Sequence, residues 1–307
     1  MRAVFLGTPE AAVPALDALT TVADVRAVIT QPDRPRGRSG TPVAPPVKRR
    51  ADELGIPVVQ PSSGRSLAGV MADLGPIDIG VLAAFGLLVL PDALEVPSHG
   101  IVNVHFSLLP RWRGAAPVHR AILAGDGRTG VTLIRLDAGL DTGPILATRS
   151  TAIGSGETTG SLTARLAMAG AELMATYLGA VVEGAIVAVP QDPAAVTLAP
   201  KIDRDERWFD PHRTVDEVLR HIRAMDPAPG AWAHHASGRF RVRAAVEGPP
   251  AEASDDVGRL RRDNHDRLLL VVGDGTLELV VVQPEGRRSM SGGDWARGRP
   301  GDLGTVT

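Results

Sequence analysis

Three polar side chains in the middle of the chain have the types and the spacing of a catalytic group. Asn103 and His105 stand two residues apart at the end of an apolar segment, and Asp141 follows 36 residues after the histidine in Leu-Asp-Thr-Gly. Alternate residues of a strand share one face, so the amide and the imidazole would point the same way. An amide that stabilises a developing oxyanion, beside a histidine that moves protons and a carboxylate that orients it, suits acyl or formyl transfer.

The spacing alone leaves other interpretations open. An Asn-x-His pair at a strand end is more often structural than catalytic, and an aspartate before Thr-Gly is commonly a turn residue. On these residues alone an enzyme and a binding module are equally favoured. The 307-residue sequence has no cysteine, no His-Glu-x-x-His and no Gly-x-Ser-x-Gly, which excludes thiolate chemistry and disfavours a metal centre or an activated serine.

The first half of the chain alternates strand and helix signals, which predicts a sheet that presents the polar group at its carboxyl edge. Strands are expected at 3–7, 25–30, 77–83, 101–104 and 131–136, and helices at 47–54, 117–124 and 163–182. Thr8 is expected to cap a helix directly after the first strand. The order predicts a Rossmann-like, doubly wound and mostly parallel α/β sheet, whose ligands bind beyond the carboxyl ends of the strands. Gly7-Thr8-Pro9-Glu10 lacks the glycine pattern of a dinucleotide loop.

The length and the change in pattern after residue 186 predict two domains: a catalytic domain at 1–186, a linker at 187–206 and a second domain at 207–307. Thr214 and Glu217 form a capping-box sequence that opens a helix. Strands at 268–272 and 276–282 flank Gly273-Asp274-Gly275, which is typical of a hairpin. A helix and several strands in about 100 residues indicate a small β-barrel such as the OB-fold, with its closure left open.

The segment from Asn103 to Pro117 resembles the signature of the folate-dependent formyltransferases that act on methionyl-tRNA. It reads Asn-Val-His-Phe-Ser-Leu-Leu-Pro-Arg-Trp-Arg-Gly-Ala-Ala-Pro. Further similar segments follow in order along nearly the whole chain, at 5–10, 31–35, 84–86, 137–143, 199–202, 229–232 and 283–286. The sequence departs from the family pattern at Ala11, Ser39, Phe106 and Trp208, which affects packing and the basic loop but leaves the polar group intact.

The resemblance implies an activity and a set of site residues. The expected reaction transfers a formyl group from 10-formyltetrahydrofolate to the α-amino group of methionyl initiator tRNA, without a metal ion. By motif position, Asn103, His105 and Asp141 would be catalytic. The residues that would border the folate are Phe85, Gly86, Ser107, Leu108, Leu109 and Pro110.

The charge distribution favours RNA binding in one segment of the chain only. The chain carries 33 Lys+Arg against 35 Asp+Glu, a net charge of -2, and 207–307 is itself balanced with 15 Arg and 15 Asp+Glu. The window 31–50 differs, because six basic residues there face Asp33 alone and give a net +5. The resemblance implies that this loop binds the tRNA acceptor end through Arg34, Arg36 and Arg38, and the alternative is a solvated basic loop.

Two features of the sequence bear on location and on rival functions. Met1-Arg2 leads into an apolar run too short for a signal peptide, and the apolar stretch 77–94 is interrupted by charges, glycines and prolines. We expect a cytoplasmic monomer with no membrane partner. The rivals are formyltransferases with a small amine acceptor, such as a sugar nucleotide or glycinamide ribonucleotide, and a non-catalytic tRNA- or folate-binding protein.

Overall fold

A computed structural model describes residues 1–35, 40–252, 256–299 and 301–307. The chain forms two compact units: the first comprises Met1–Pro117, Arg128–Ala152 and Thr163–Ala199, and the second Val118–Gly127, Ile153–Leu162 and Pro200–Thr307. The helices are α1 (Val13–Val22), α2 (Pro46–Glu53), α3 (Leu67–Asp73), α4 (Pro91–Leu94), α5 (Pro117–Leu123), α6 (Thr159–Val182), α7 (Val215–Met225) and α8 (Gly292–Arg297). The strands are β1 (Arg2–Gly7), β2 (Asp24–Ile29), β3 (Arg34–Pro35), β4 (Pro42–Val43), β5 (Val58–Val59), β6 (Ile79–Ala83), β7 (Ile101–His105), β8 (Arg128–Arg135), β9 (Ile145–Ala152), β10 (Ala231–His235), β11 (Gly238–Glu247), β12 (Leu260–Arg262), β13 (Leu268–Val272), β14 (Gly275–Pro284) and β15 (Met290–Ser291).

The first unit is built on a seven-stranded sheet in the order β5-β2-β1-β6-β7-β8-β9. The pairs from β5 to β7 are parallel, which confirms the Rossmann-like, mostly parallel sheet. β6 and β7 are buried along their whole length, as their nearly continuous apolar sequences require. Their carboxyl ends carry the loops that form the site.

The expectation that β8 continues the parallel order is wrong. β8 runs antiparallel to β7, with His105 opposite Thr132, and β9 is antiparallel to β8. The chain enters β8 at the same end of the sheet at which it left β7. A parallel strand would have required a connection back to the other end of the sheet. The loop between β8 and β9 therefore leaves β8 beside the start of β7, where the Leu136 amide donates to the Ile101 carbonyl at 2.8 Å.

Helix α6 is amphipathic, as its periodicity predicts. By length and composition alone it could cross a membrane. Most of its large apolar side chains are buried, however, while Arg165, Met168 and Glu172 are exposed. The buried residues are Leu162, Leu166, Ala167, Ala171, Leu173, Met174, Leu178 and Val181.

The second unit is an antiparallel sheet closed by the C-terminal tail. Its strands follow the order β10-β11-β14-β13-β12, and β15 pairs with β14. His234 and Thr307 exchange two backbone hydrogen bonds of 2.7 and 3.0 Å, which attach the tail to β10. The Leu260 amide donates to the Gly304 carbonyl at 2.9 Å, which attaches the same tail to β12. Residues 304–307 therefore close the small barrel that the sequence predicts.

Local signals in this unit are confirmed. The Thr214 hydroxyl accepts from the Glu217 amide at 3.2 Å, and the Glu217 carboxylate accepts from the Thr214 amide at 3.0 Å, which completes the capping box of α7. The predicted hairpin joins β13 to β14, with Val272 opposite Gly275. The buried face of α7 packs into an apolar core that includes Phe240 and Trp295.

Candidate active site

Asn103 and His105 lie at the carboxyl end of β7, on the same face of the strand. Each is only 6% exposed, although both are polar. Asn103 stands opposite Leu82 in the neighbouring strand β6, so the loop that follows β6 begins beside His105. Asp141 comes from the loop between β8 and β9. The loop of Asp141 leaves β8 after Arg135, opposite Val102, and reaches back to Asn103, so it meets the loop after β6 near the carboxyl end of β7. Ligands of such sheets bind at the carboxyl ends of the strands.

The three residues predicted from the sequence are brought together. The Asn103 side-chain amide donates to Asp141 Oδ1 at 3.2 Å, and the Gly114 backbone amide donates to Asp141 Oδ2 at 2.9 Å. His105 Nδ1 lies 3.6 Å from the same Oδ2 atom. Asp141 is therefore the centre of the group: it orients the amide and lies close enough to stabilise a positive charge on the imidazole.

The surroundings of His105 suit a ring that gains a proton. Nε2 lies 2.9 Å from the Trp112 carbonyl oxygen, which can only accept, so a neutral ring carries its proton on Nε2. Nδ1 then presents its lone pair on the side of Asp141. When Nδ1 is protonated as well, the new N–H faces a carboxylate. An imidazole with an acceptor on each side can take up a proton and release it without leaving its place.

The backbone around this group is held in conformations that most residues avoid. Asp141 and Trp112 are left-handed, with φ of 50° and 66°, and Gly114 has φ of 122°. Such conformations cost free energy unless neighbouring contacts fix them, and they concentrate at functional sites. One fixing contact comes from Gln191, whose amide donates to the Asp141 carbonyl at 2.8 Å. The sequence indicates no role for Gln191, because it stands among polar and proline residues distant along the chain.

Comparison with known proteins identifies the family of this chain. A model of the formyl transferase family matches residues 1–178, and a model of the formyl transferase C-terminal domain matches 201–300. The chain belongs to the formyl transferase family. The methionyl-tRNA formyltransferase of Halorhodospira halophila is 45% identical over 303 residues, covering 97% of this chain and 96% of that protein.

Solved structures show the same fold. The methionyl-tRNA formyltransferase from Clostridium thermocellum aligns with a TM-score of 0.55 at 15% identity, covering 81% of this chain and 94% of that one. HypX from Aquifex aeolicus, solved in complex with tetrahydrofolic acid, aligns with a TM-score of 0.66 at 16% identity, covering 96% of this chain and 46% of that one. At these identities the likeness concerns the fold alone.

In this formyl transferase the loop after β7 is shaped by buried hydroxyls. Ser107 is fully buried, and its hydroxyl donates to the Arg111 carbonyl at 2.6 Å. The Thr132 hydroxyl donates to the Ser107 carbonyl at 2.7 Å and accepts from the Leu109 amide at 3.1 Å. Leu109 is 5% exposed, whereas Leu108 and Pro110 are half-buried. Ser107 therefore fixes the conformation of the loop. The contacts of residues 107–110 with folate stay predictions.

The loop after β6 is fixed through the backbone of Phe85. The Phe85 ring is 1% exposed and lies in the apolar core, so a ligand would meet the backbone here rather than the ring. The Phe85 carbonyl accepts from the Thr8 hydroxyl at 2.7 Å and from the Gln31 amide at 3.0 Å. The prediction that Thr8 caps a helix is wrong, because the 3-10 turn Glu10–Ala12 has Pro9 at its N-cap and α1 begins only at Val13. Gly86 is exposed, with φ of 79°, and a Cβ there would lie 2.4 Å from Gln31 Nε2.

The basic window carries less free charge than its sequence indicates. Lys48 Nζ lies 2.9 Å from Asp33, and the Gln60 amide and this ammonium lower the pKa of Asp33. Arg50 pairs with Asp17 at 2.7 Å. Arg34 is exposed on the short strand β3, which pairs with β4. The other two predicted RNA contacts, Arg36 and Arg38, lie outside the described residues, as does Ser39.

The described residues contain no group of three or more His, Cys, Asp or Glu side chains placed to hold a metal ion. The candidate site consists of an amide, an imidazole and a carboxylate at the carboxyl end of the inner strand β7. This set can polarise a carbonyl and move a proton.

Proposed function

We propose that the protein transfers the formyl group of 10-formyltetrahydrofolate to the α-amino group of methionyl initiator tRNA. The observation that carries the proposal is the convergence of Asp141 on Asn103 and His105 at the carboxyl end of β7. Relatives named methionyl-tRNA formyltransferase, 45% identical along nearly the whole chain, support the tRNA acceptor over a small amine.

Each member of the group has a role in this reaction. 10-Formyltetrahydrofolate supplies an N-formyl carbonyl, which a neutral amine can attack. The Asn103 side-chain amide donates one hydrogen to Asp141. Its second hydrogen can donate to the formyl oxygen as that atom gains negative charge. At Nδ1, the ring nitrogen that carries no proton, His105 accepts the proton that the attacking nitrogen loses as its bond to the formyl carbon forms. It returns the proton to the folate nitrogen as the old carbon–nitrogen bond breaks.

Asp141 supports both partners during the transfer. Its Oδ2 lies 3.6 Å from His105 Nδ1, so the imidazolium formed midway is opposed by a negative charge. Its Oδ1 holds the Asn103 amide in one orientation, which is the condition for a preorganised oxyanion donor. The reaction written in this way balances without a metal ion.

The two loops at the carboxyl edge suit a flat, partly apolar co-substrate. Leu108 and Pro110 are half-buried beside the catalytic strand, and Leu88 in the loop after β6 is 72% exposed. Binding sites for such molecules combine apolar walls with a few fixed polar groups. We propose that Ser107, Leu108, Leu109 and Pro110 border the folate on one side. The backbone of Phe85 and Gly86 borders it on the other.

The tRNA is expected to bind through the basic loop and through the domain at 207–307. Arg34, Arg36 and Arg38 are the proposed phosphate contacts of the loop. Arg38→Ala should raise the KM for methionyl-tRNA several-fold and leave folate binding unchanged. Arg49→Ala is the matched control, because Arg49 lies in the same basic window and pairs with Glu10 at 4.0 Å. Equal loss of tRNA and folate binding in Arg38→Ala would contradict an RNA role for the loop.

We further propose that the enzyme acts as a cytoplasmic monomer, with its catalytic domain at 1–186, a linker at 187–206 and a tRNA-binding domain at 207–307. Charged initiator tRNA is used where translation begins, which supports the location. The two family models, which meet this chain at 1–178 and 201–300, support the division. Sedimentation of the purified protein with and without tRNA tests the monomer.

One assay tests the proposed function. Purified protein is incubated with 10-formyltetrahydrofolate labelled in the formyl group and with one acceptor at a time: methionyl initiator tRNA, free methionine, or an amino-sugar nucleotide. We expect label only in the methionyl-tRNA. Efficient formylation of a small amine would replace the proposed acceptor, and binding of folate and tRNA without transfer would make the protein a binding module.

A further inference from the structure

We propose that Gln191 is a positioning residue for Asp141, and that it acts by holding the loop of this aspartate in its left-handed conformation. The inference deepens the proposed formyl transfer and rests on it for the role of Asp141. Gln191 lies outside every sequence motif discussed above and is 9% exposed.

All four hydrogen-bonding positions of the Gln191 amide are used. Nε2 donates to the Asp141 carbonyl at 2.8 Å and to the Gly143 carbonyl at 2.7 Å. Oε1 accepts from Arg113 Nε at 2.9 Å and from Arg113 Nη2 at 2.7 Å. An arginine can only donate and a carbonyl can only accept, so the orientation of the amide is fixed by its partners.

These contacts complete a closed chain of bonds around the catalytic carboxylate. Arg113 binds Gln191, and Gln191 binds the backbone of Asp141. The residue next to Arg113 is Gly114, whose amide donates to the Asp141 carboxylate. The loop after β7 and the loop after β8 are thus joined twice, once through the Asp141 side chain and once through Gln191.

Gln191 belongs to a segment, residues 189–199, that contains a short 3-10 turn at Pro193–Ala195 and contacts both loops. At one end, Val189 and Ile145 exchange two backbone hydrogen bonds of 2.8 Å. Further along, the Thr197 hydroxyl accepts from the Trp112 amide at 2.9 Å. The Ala199 amide donates to the Arg113 carbonyl at 2.7 Å. The segment is therefore anchored on either side of Gln191, which keeps its amide in place.

The need for such a contact follows from the conformation of Asp141. A non-glycine residue with φ of 50° persists only where its surroundings hold it. Without Gln191 the buried Gly143 carbonyl and the partly buried Asp141 carbonyl lose this donor, and the loop can relax toward an ordinary conformation. The carboxylate would then move away from Asn103 and His105. A shift of about 1 Å at a catalytic group can cost about 100-fold in rate.

The direct test uses Gln191→Met and Gln191→Glu with both substrates. Methionine has a similar shape but no amide, and glutamate keeps acceptors for Arg113 while losing both donors to the loop. We expect kcat to fall about 10- to 100-fold in both variants, with the KM values for folate and tRNA within about twofold of wild type. Thr176→Val is the control: the Thr176 hydroxyl donates to the Glu172 carbonyl at 2.7 Å on the exposed side of α6, outside every motif discussed above, and we expect wild-type kcat.

A double-substitution comparison separates positioning from a general structural effect. Because Gln191 acts through Asp141, Gln191→Glu should cause no further loss of rate in an Asp141→Ala background, measured in single turnovers. A further loss of 10-fold or more there would show that Gln191 acts by another route and would overturn the proposal. A kcat of Gln191→Glu within about twofold of wild type would also overturn it.

A measurement without substrates keeps this inference separate from the function. The Gly114 amide donates to Asp141 Oδ2, so its hydrogen exchange reports whether the carboxylate stays in place. We expect exchange at Gly114 to speed up at least about 10-fold in Gln191→Glu and to stay unchanged in Thr176→Val. Unchanged exchange at Gly114 in Gln191→Glu would overturn the positioning role, whatever reaction the wild-type enzyme catalyses.

Discussion

The loops around Asp141 and the C-terminal barrel are stabilised in opposite ways. In the loops, buried side chains satisfy backbone groups one by one, as Ser107, Thr132 and Gln191 do, and two non-glycine residues are left-handed. In the barrel, a buried apolar core dominates, and Phe240 meets Trp295 edge to face at 5.0 Å. Directional bonds define atomic positions, whereas apolar burial supplies stability with less demand on geometry.

This contrast predicts whether a substitution should mainly reduce activity or mainly reduce stability. A change in the loops removes few apolar contacts but displaces groups that must meet within a few tenths of an ångström, so activity should fall more than stability. A change in the barrel core removes buried area and leaves a cavity, so stability should fall first. Three predictions probe this contrast.

The largest effect on stability is expected from Phe240→Ala in the barrel core. Phe240 is 1% exposed and contacts both Trp295 and His235. Truncating a buried phenylalanine costs about 3–5 kcal/mol, so the free energy of unfolding should fall by that amount. Urea denaturation followed by tryptophan fluorescence measures it. A loss below about 1 kcal/mol would show that the barrel does not depend on its apolar core.

Gly114→Ala in the loops should show the reverse balance. Gly114 has φ of 122°, and a Cβ there would lie 2.7 Å from the Ala199 carbonyl oxygen. The strain should cost about 1–3 kcal/mol, less than the barrel substitution. Because the Gly114 amide holds Asp141, kcat should fall by about 10-fold or more. Steady-state kinetics beside urea denaturation give both values, and wild-type kcat with reduced stability would break the comparison.

The smallest effect is a difference in acid sensitivity. Burial lowers the pKa of His119 and of His221 in the second unit, so each stabilises the fold above its ordinary pKa near 6.5 and ceases to do so as the pH falls. In the first unit, Arg2 lowers the pKa of Asp78 to about 2, and that stabilisation is lost only as the pH falls from about 4 toward 2.

The second unit should therefore lose stability first on acidification. Three of the four tryptophans, at 208, 232 and 295, lie in that unit, so their fluorescence follows it. Between pH 7 and 5 we expect the urea midpoint to fall in the wild type and to fall less in a His119→Gln, His221→Gln double variant. A wild-type midpoint that stays constant over this range would remove the two histidines from the account.

The sequence predicted best the features that are determined by residues close together in the chain. The strand that carries Asn103 and His105, the capping box of Thr214, and the hairpin before Gly275 are set by neighbouring residues, and all three are confirmed. The meeting of Asn103 with Asp141 was predicted by the family resemblance and not by strand order, because β8 is antiparallel to β7. The sheet architecture was predictable because buried parallel strands leave nearly continuous apolar segments.

The features that sequence reasoning missed depend on contacts between distant residues. The Thr8 hydroxyl binds the carbonyl of Phe85, 77 residues away, so its local suitability as a cap was misleading. Gln191 donates to Asp141 across 50 residues, and nothing near it in the sequence marks that partner. The closing of the barrel by residues 304–307 is likewise a property of the folded chain. Polar side chains that form hydrogen bonds with distant backbone groups leave no periodic pattern in the sequence.

The central claim is that Asn103, His105 and Asp141 together carry out formyl transfer to methionyl initiator tRNA. Its most direct test is the single-turnover rate of transfer from labelled 10-formyltetrahydrofolate by the wild type and by Asn103→Ala, His105→Ala and Asp141→Ala. We predict that each substitution slows transfer by about 100-fold or more while circular dichroism stays that of the wild type. A near-wild-type rate in any one variant would contradict the role of that residue, and near-wild-type rates in all three would contradict the account.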